Sequence, residues 1–315
     1  MIGIVATIAV SLALGFTARR RLGPRADGAA RALLNTMLYV LFPPVAFIAV
    51  TRLRVDTGVL SGVALGWAAL ALTGLTAWLV GTRLLHLPRP SVGALIATAM
   101  QGNTGFLGFP LTVALLGPDA LGAAAVYDGL VQAPVFLLGV FAVAAAFGGR
   151  TNPDDRSLRT RLTTALLCNP PLLAVLLGFI VPSRALPAQA DTVATVIATL
   201  LLLPLGFLAV GITLAAEARP VTAHGHPRRP DHAVVLPVVV GTVLRLLISP
   251  VLLLALSAPL LTLPRAYPLL AAMPAGVTGL VVAHAYGLDR DLIARIVVAT
   301  TAVVAVVGVA AAAIN

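Results

Sequence analysis

Gln101-Gly102-Asn103-Thr104-Gly105-Phe106-Leu107-Gly108-Phe109-Pro110 interrupts one long apolar run of the chain, and Met273-Pro274-Ala275-Gly276-Val277-Thr278-Gly279 interrupts another. Glycine accepts backbone dihedrals that other residues avoid, and proline removes a donor, so both stretches are read as places where a helix unwinds. Unwound backbone is tolerated at membrane depth only where it is packed in protein or lines a cavity. The half-helix that follows a break presents free N–H groups and the positive end of its dipole. Two such ends aimed at one place form an anion site without lysine or arginine. Asn103 and Thr104 add side-chain donors and acceptors there, and a carboxylate is the guest this chemistry fits. The competing reading is that the glycines and prolines only permit close helix packing. The matching positions of the two breaks weigh against it.

The runs around the breaks set the class. Of 315 residues, 59% are hydrophobic and 10% charged, and the mean hydropathy is +1.03. A soluble domain carries about 25% charged residues. This chain must turn its outer surface to lipid, which excludes a soluble enzyme, a disordered tail and a nucleic-acid-binding module. A membrane-spanning helix needs about 20 apolar residues. Ten apolar segments are marked, at 2–18, 32–50, 58–85, 91–116, 120–147, 163–181, 191–216, 233–258, 266–286 and 291–314. Their length and continuity differ from the short alternating segments of an outer-membrane barrel. Arg19-Arg20-Arg21 follows the first run instead of preceding it, so that run is read as a retained span and not a cleaved signal.

Every one of the 21 basic residues is Arg. Counted over alternate loops, sixteen fall on one side, four on the other, and Arg245 lies inside a span. Positive charge concentrates in cytoplasmic loops. The expectation is therefore a multi-pass protein of the inner (cytoplasmic) membrane with both termini outside. Five segments precede the Arg/Asp-rich stretch near 150–162 and five follow it, so the second half enters the membrane with opposite polarity, as in inverted-repeat transporters. The fold expected is an all-α membrane protein of ten transmembrane helices. Residues 1–149 form the first five-helix repeat, 150–162 a cytoplasmic connection, and 163–315 the second, inverted repeat. The breaks fall in the fourth segment of each half, where such folds place their site.

Other polar residues in the spans are few. Asp128 lies early in the fifth segment, beside Tyr127 and one turn before Gln132. A carboxyl at such depth is a functional candidate for proton or ion coupling, or else a structural partner, with Arg245 the candidate mate. Arg245 itself is read as a scaffold tie ahead of a substrate clamp. Cys168 is read as a small buried apolar residue. His284 is read as interfacial, and His224, His226 and His232 as parts of a solvated polar loop. No cofactor and no metal site is expected. Without lysine there is no phosphate-loop lysine and no Schiff base. Neither a His-Glu-x-x-His nor a Gly-x-Ser-x-Gly motif occurs, so the chain is not read as an enzyme.

Several short motifs, in order, resemble the auxin efflux carrier family, which includes the plant PIN-FORMED carriers and bacterial organic-acid permeases. They are Leu34-Asn35 through Tyr39, Pro43-Pro44 and Phe47; Asn103-Thr104 through Gly108 and Pro110; Asn169-Pro170; Leu244-Arg245-Leu246 with Pro250; Met273-Pro274 through Val282-Ala283; and Tyr286-Gly287. The resemblance covers nearly the whole chain. It implies crossing, broken fourth and ninth helices, a scaffold part, and a transport part that moves like an elevator. It implies a small organic anion bound at the crossing, with Gly102, Asn103, Thr104 and Gly105 on one side. Pro274, Ala275, Gly276 and Val277 would line the other side, with Gln132 nearby. Relatives suggest a homodimer. Gly102 stands where plant members usually carry proline, and their long cytoplasmic loop is absent. The function expected is secondary transport of carboxylates such as malate, malonate or auxin-like acids. A sodium-coupled, bile-acid-type symporter of similar architecture is the alternative. The partners expected are the anion and the bilayer.

Overall fold

The computed structural model describes residues 2–149, 169–217, 232–258 and 263–314. The connection expected at 150–162 lies outside these, as do Cys168, His224 and His226, and the side chain of His232. Among the described residues the chain is all-helical, without a strand. We number the helices α1 (Ile2–Leu22), α2 (Pro24–Arg52), α3 (57–84), α4 (Arg89–Met100), α5 (Thr104–Leu116), α6 (Pro118–Phe147), α7 (Pro170–Ile180), α8 (190–217), α9 (232–257), α10 (Ala266–Ala271), α11 (Gly279–Tyr286) and α12 (Arg290–Ile314). Helix falls within each of the apolar segments. The fourth is divided into α4 and α5, and the ninth into α10 and α11. Among the described residues five helices are long and apolar enough to cross a membrane: α2, α3, α6, α8 and α9. α5 and α7 are shorter apolar helices. Large apolar side chains stand exposed along these helices, among them Leu84, Ile180, Leu200 and Val281. That surface suits hydrocarbon, not water.

Proline shapes the long helices in a repeated way. Wide, i→i+5 turns run over Met37–Leu41, Thr104–Gly108, Tyr127–Gln132, Ile197–Leu202 and Leu244–Ile248. Each ends two residues before a proline: Pro43, Pro110, Pro134, Pro204 or Pro250. A proline ring clashes with the carbonyl four residues back and offers no N–H to it. Widening the preceding turn moves that carbonyl away and re-pairs the backbone. Proline thus marks five of the seven wide turns among the described residues, those at Val80–Leu84 and Val135–Val140 lacking one there, and three of the five carry Thr104, Asp128 or Arg245.

The two most extensive helix pairings are α1 with α8 and α7 with α2. In segment order these are first with seventh and sixth with second. The α1–α8 pair comes together backbone to backbone. A Cβ on Gly15 would lie 2.2 Å from the Leu208 carbonyl, and one on Gly211 2.4 Å from that of Leu12. Small residues are what allow membrane helices to approach this closely. Two buried apolar clusters result. The larger joins α1, α2, α5, the first part of α6, α8 and α10. The other joins α4, the end of α6, α11 and α12. Met100, at the end of α4, packs against both.

Candidate functional site

At the first break α4 ends at Met100, and Gln101–Asn103 leave the helix, Gln101 extended, before α5 begins. At the second, α10 ends at Ala271 and α11 begins at Gly279. The two unwound strands lie antiparallel and pair with each other. The Asn103 N–H donates to the Pro274 carbonyl at 2.7 Å, and the Gly276 N–H to the Gln101 carbonyl at 3.0 Å. Each break therefore satisfies backbone groups that the other exposes, as burial requires. The Ala275 N–H donates to Thr300 Oγ1 on α12 at 3.1 Å.

Arg245 holds the pair from below. It is fully buried on the wide turn of α9. Its Nε donates to the Met273 carbonyl at 2.8 Å, Nη2 to that of Ala271 at 3.1 Å, and Nη1 to that of Ala99 at 3.3 Å. These carbonyls end α4 and α10, where no intrahelical donor reaches them. A cation at two converging helix C-termini also meets the negative ends of both dipoles. Arg245 is thus a tie between the breaks. It forms no ion pair with Asp128 and does not line the cavity described next. Gly102 is explained by the same contact, since a Cβ there would lie 2.3 Å from Nη2.

A cavity of about 200 Å³ opens against the crossing, lined by the two breaks, the wide turn of α6, and the facing parts of α2 and α7. Pockets for drug-sized ligands run to about 300–1,000 Å³, so this one suits a smaller guest. Of the residues expected at the site, Gly102, Asn103, Thr104, Gly105, Asp128, Gln132, Gly276 and Val277 line it. Pro274 and Ala275 do not; they act through backbone pairing. Gln101, Thr278 and Asn169 line it as well, with Leu38 and Phe42 forming an apolar wall. Asn169 belongs to the Asn169-Pro170 pair that carries part of the family resemblance. Its Oδ1 accepts from the Leu172 N–H at 3.2 Å, capping α7, and leaves its amide nitrogen free.

The unfilled valences define what the cavity can hold. Thr104 and Gly105 open α5, so their N–H groups have no carbonyl in their own helix, and the Val277 and Thr278 N–H groups have no backbone partner. The Asn103 side chain, 5% exposed by residue, makes no hydrogen bond. Gln132 Nε2 donates to the Met100 carbonyl at 3.1 Å, and Gln101 Nε2 bonds Thr278 Oγ1. The Oε1 atoms of both glutamines are buried without a partner. Among the described residues Asp128 is the one ionisable side chain in the lining, and its Oδ1 accepts from Thr104 Oγ1. Among them no lysine, arginine or histidine reaches the cavity lining.

Among the described residues no group of three or more His, Cys, Asp or Glu side chains could hold a metal ion. His284, the remaining described candidate of that kind, is exposed near the end of α11.

Two paired helix breaks thus line a small cavity with a few polar groups inside a bundle that turns apolar side chains outward. The sequence matches the family described as Membrane transport protein over residues 1–309, and the chain belongs to that family, the one that contains the auxin efflux carriers. It is also 28% identical over 155 residues to an uncharacterized transporter of Methanocaldococcus jannaschii. That match spans 48% of this chain and 47% of the relative, about half of each. The chain is a multi-pass membrane protein of a transport family.

Proposed function

We propose that this protein is a secondary carrier of small organic anions, carboxylates such as malate, malonate or auxin-like acids, working by alternating access with an elevator-type motion. The observation that carries the reading is the set of free valences at the crossing. Two helix N-termini and the Asn103 amide supply donors without any cationic side chain. That arrangement stabilises a carboxylate and leaves it free to depart. The unpartnered Gln101 and Gln132 oxygens suit a hydroxyl or acid proton on the same guest.

The inverted-repeat reading draws support from the helix pairings. Exchange of the two five-segment halves turns the α1–α8 pair into the α7–α2 pair. Elevator motion requires one part to slide against another. The cavity sits where α2 and α7 face the crossing, the boundary across which such sliding would carry it. The arginine distribution favours both termini outside, and family likeness points to a homodimer. The sodium-coupled alternative draws on Asp128 and the hydroxyls of Thr104 and Thr278, all oxygen ligands at the cavity.

Purified protein in proteoliposomes, assayed for uptake of labelled mono- and dicarboxylates, tests the reading. Wild type takes up at least one carboxylate saturably. Asn103→Ala lowers its kcat/KM by about 10- to 100-fold, the loss of one hydrogen bond of about 1.5–3 kcal/mol to a charged group, with thermal stability retained. Unchanged uptake in Asn103→Ala removes the crossing as the binding site. No saturable uptake of any acid removes the anion reading altogether.

A further inference from the structure

We propose that Thr104 and Asp128 form a proton-dependent donor switch, which makes the carrier a symporter of one proton with each carboxylate. This rests on the anion reading above and deepens it by naming the coupled ion.

Asp128 sits on the wide turn Tyr127–Gln132 of α6, and Thr104 opens α5 at the first break. The Thr104 hydroxyl donates to Asp128 Oδ1, and both residues line the cavity. A hydroxyl has one proton to donate. While Asp128 is ionised, that proton is committed to it, and the carboxylate faces the cavity with its charge. An arriving carboxylate then meets a like charge in a space of about 200 Å³ and lacks the Thr104 donor. Once Asp128 takes up a proton, the repulsion is gone and the direction of the bond reverses. Its new O–H donates to Thr104 Oγ1, and the Thr104 O–H turns to the guest. The anion therefore binds the protonated form more tightly, and such differential affinity is what couples two ligands.

The step balances. One O–H bond forms at Asp128 as one breaks in a hydronium on the entry side, and the reverse occurs on release. One anion and one proton cross together, so a monoanion moves without net charge.

The surroundings leave this pair to set its own response. α3 brings Gly66 and Trp67 against the turn, the Trp67 Nε1 donating to the Leu130 carbonyl at 2.8 Å. α5 brings Thr104 and Gly105, and α7 brings Val175 against Gly129. α10 brings Tyr267, whose ring lies 5.1 Å from that of Tyr127. None of these elements presents a carboxylate, histidine or ammonium to Asp128. Three carbonyls occupy the guanidinium of Arg245, the cation buried at the breaks.

The test uses proteoliposomes loaded with the pH dye pyranine, with labelled malonate and malate outside, acids too polar to cross lipid unaided. Wild-type uptake acidifies the lumen, and an inward proton gradient raises the initial rate at least about tenfold. In Asp128→Asn the uptake that remains ignores the gradient and leaves the dye signal flat. Thr104→Val keeps the carboxyl but loses the donor: its KM rises about tenfold at low pH and depends on pH less steeply than that of wild type, through charge repulsion alone. It also serves as the reporter if Asp128→Asn gives no folded protein. Wild-type uptake without acidification, uptake driven by a sodium gradient instead, or gradient-driven uptake persisting in Asp128→Asn overturns the proposal while sparing the anion reading. Failure of wild type to take up either acid, or any other carboxylate, defeats both.

Discussion

The two breaks do different work. The first is short, three residues between α4 and α5, and nearly every residue from Gln101 to Gly105 faces the cavity. It supplies the side-chain chemistry: an unpartnered amide at Asn103, a hydroxyl at Thr104 and a buried acceptor at Gln101. The second is longer, residues 272–278, and mostly apolar. It supplies backbone: the Pro274 carbonyl and Gly276 N–H pair with the first break, and Arg245 grips its start through Met273 and Ala271. In the proposed site the first break supplies the side-chain contacts, and the second supplies backbone N–H donors at Val277 and Thr278 and holds the first in place. A site built from two interrupted helices therefore need not divide its chemistry evenly, even where its architecture is matched.

This division can be broken at its shared point, then at each side. Arg245→Ala has the largest expected effect, since it leaves three buried carbonyls without a donor. At about 1–3 kcal/mol for each unsatisfied group, the protein is expected to lose its monodisperse peak in detergent or to unfold more than about 10 °C below wild type. Arg245→Lys, a point charge that cannot span three acceptors, is expected to fall between. Gly102→Ala comes next. The added methyl collides with a guanidinium that three hydrogen bonds hold in place, so Arg245 must give up at least one of them. A loss of about 2–3 kcal/mol is expected, at the upper end for an overpacked core, with carboxylate uptake abolished. A melting temperature equal to wild type would show that the tie is looser than drawn. Thr300→Val is the mildest. It removes the acceptor for the Ala275 N–H and touches only the second break. A destabilisation of about 1–3 kcal/mol with KM changed less than about threefold is expected. A large rise in KM would instead show that this tie also sets the position of the Val277 and Thr278 donors.

Much of this was legible in the chain, because glycine and proline announce where helices unwind. The Gln101–Pro110 and Met273–Gly279 stretches marked both breaks, and polar residues are rare enough in apolar spans for Asn103, Thr104, Asp128 and Gln132 to stand out. What was hidden depends on distance along the chain. Arg245 is 146 residues from Ala99, and no local pattern says that a lone arginine will serve carbonyls instead of a carboxylate. Pairing Asp128 with Arg245 was reasonable from charge, but the carbonyl-rich ends of α4 and α10 take up every guanidinium nitrogen. Thr278 was quoted within the second break yet not singled out, because its place on the cavity follows from pairing with Gln101 across the crossing. Pro274 and Ala275 were expected at the guest, but an antiparallel strand pair turns some positions inward to backbone work.

The stitch between the breaks also bears on how the protein is made. When the first five segments leave the ribosome, the Asn103 N–H and the Ala99 and Gln101 carbonyls lack their final partners. Arg245 follows Ala99 by 146 residues, and at about 5–20 residues per second it arrives roughly 7–30 s later. Through that interval the nascent first half holds an open polar seam, which water or the insertion machinery must keep solvated. Assembly of the crossing is therefore a late, post-insertional event, and the first half is not a carrier in waiting but an unfinished one.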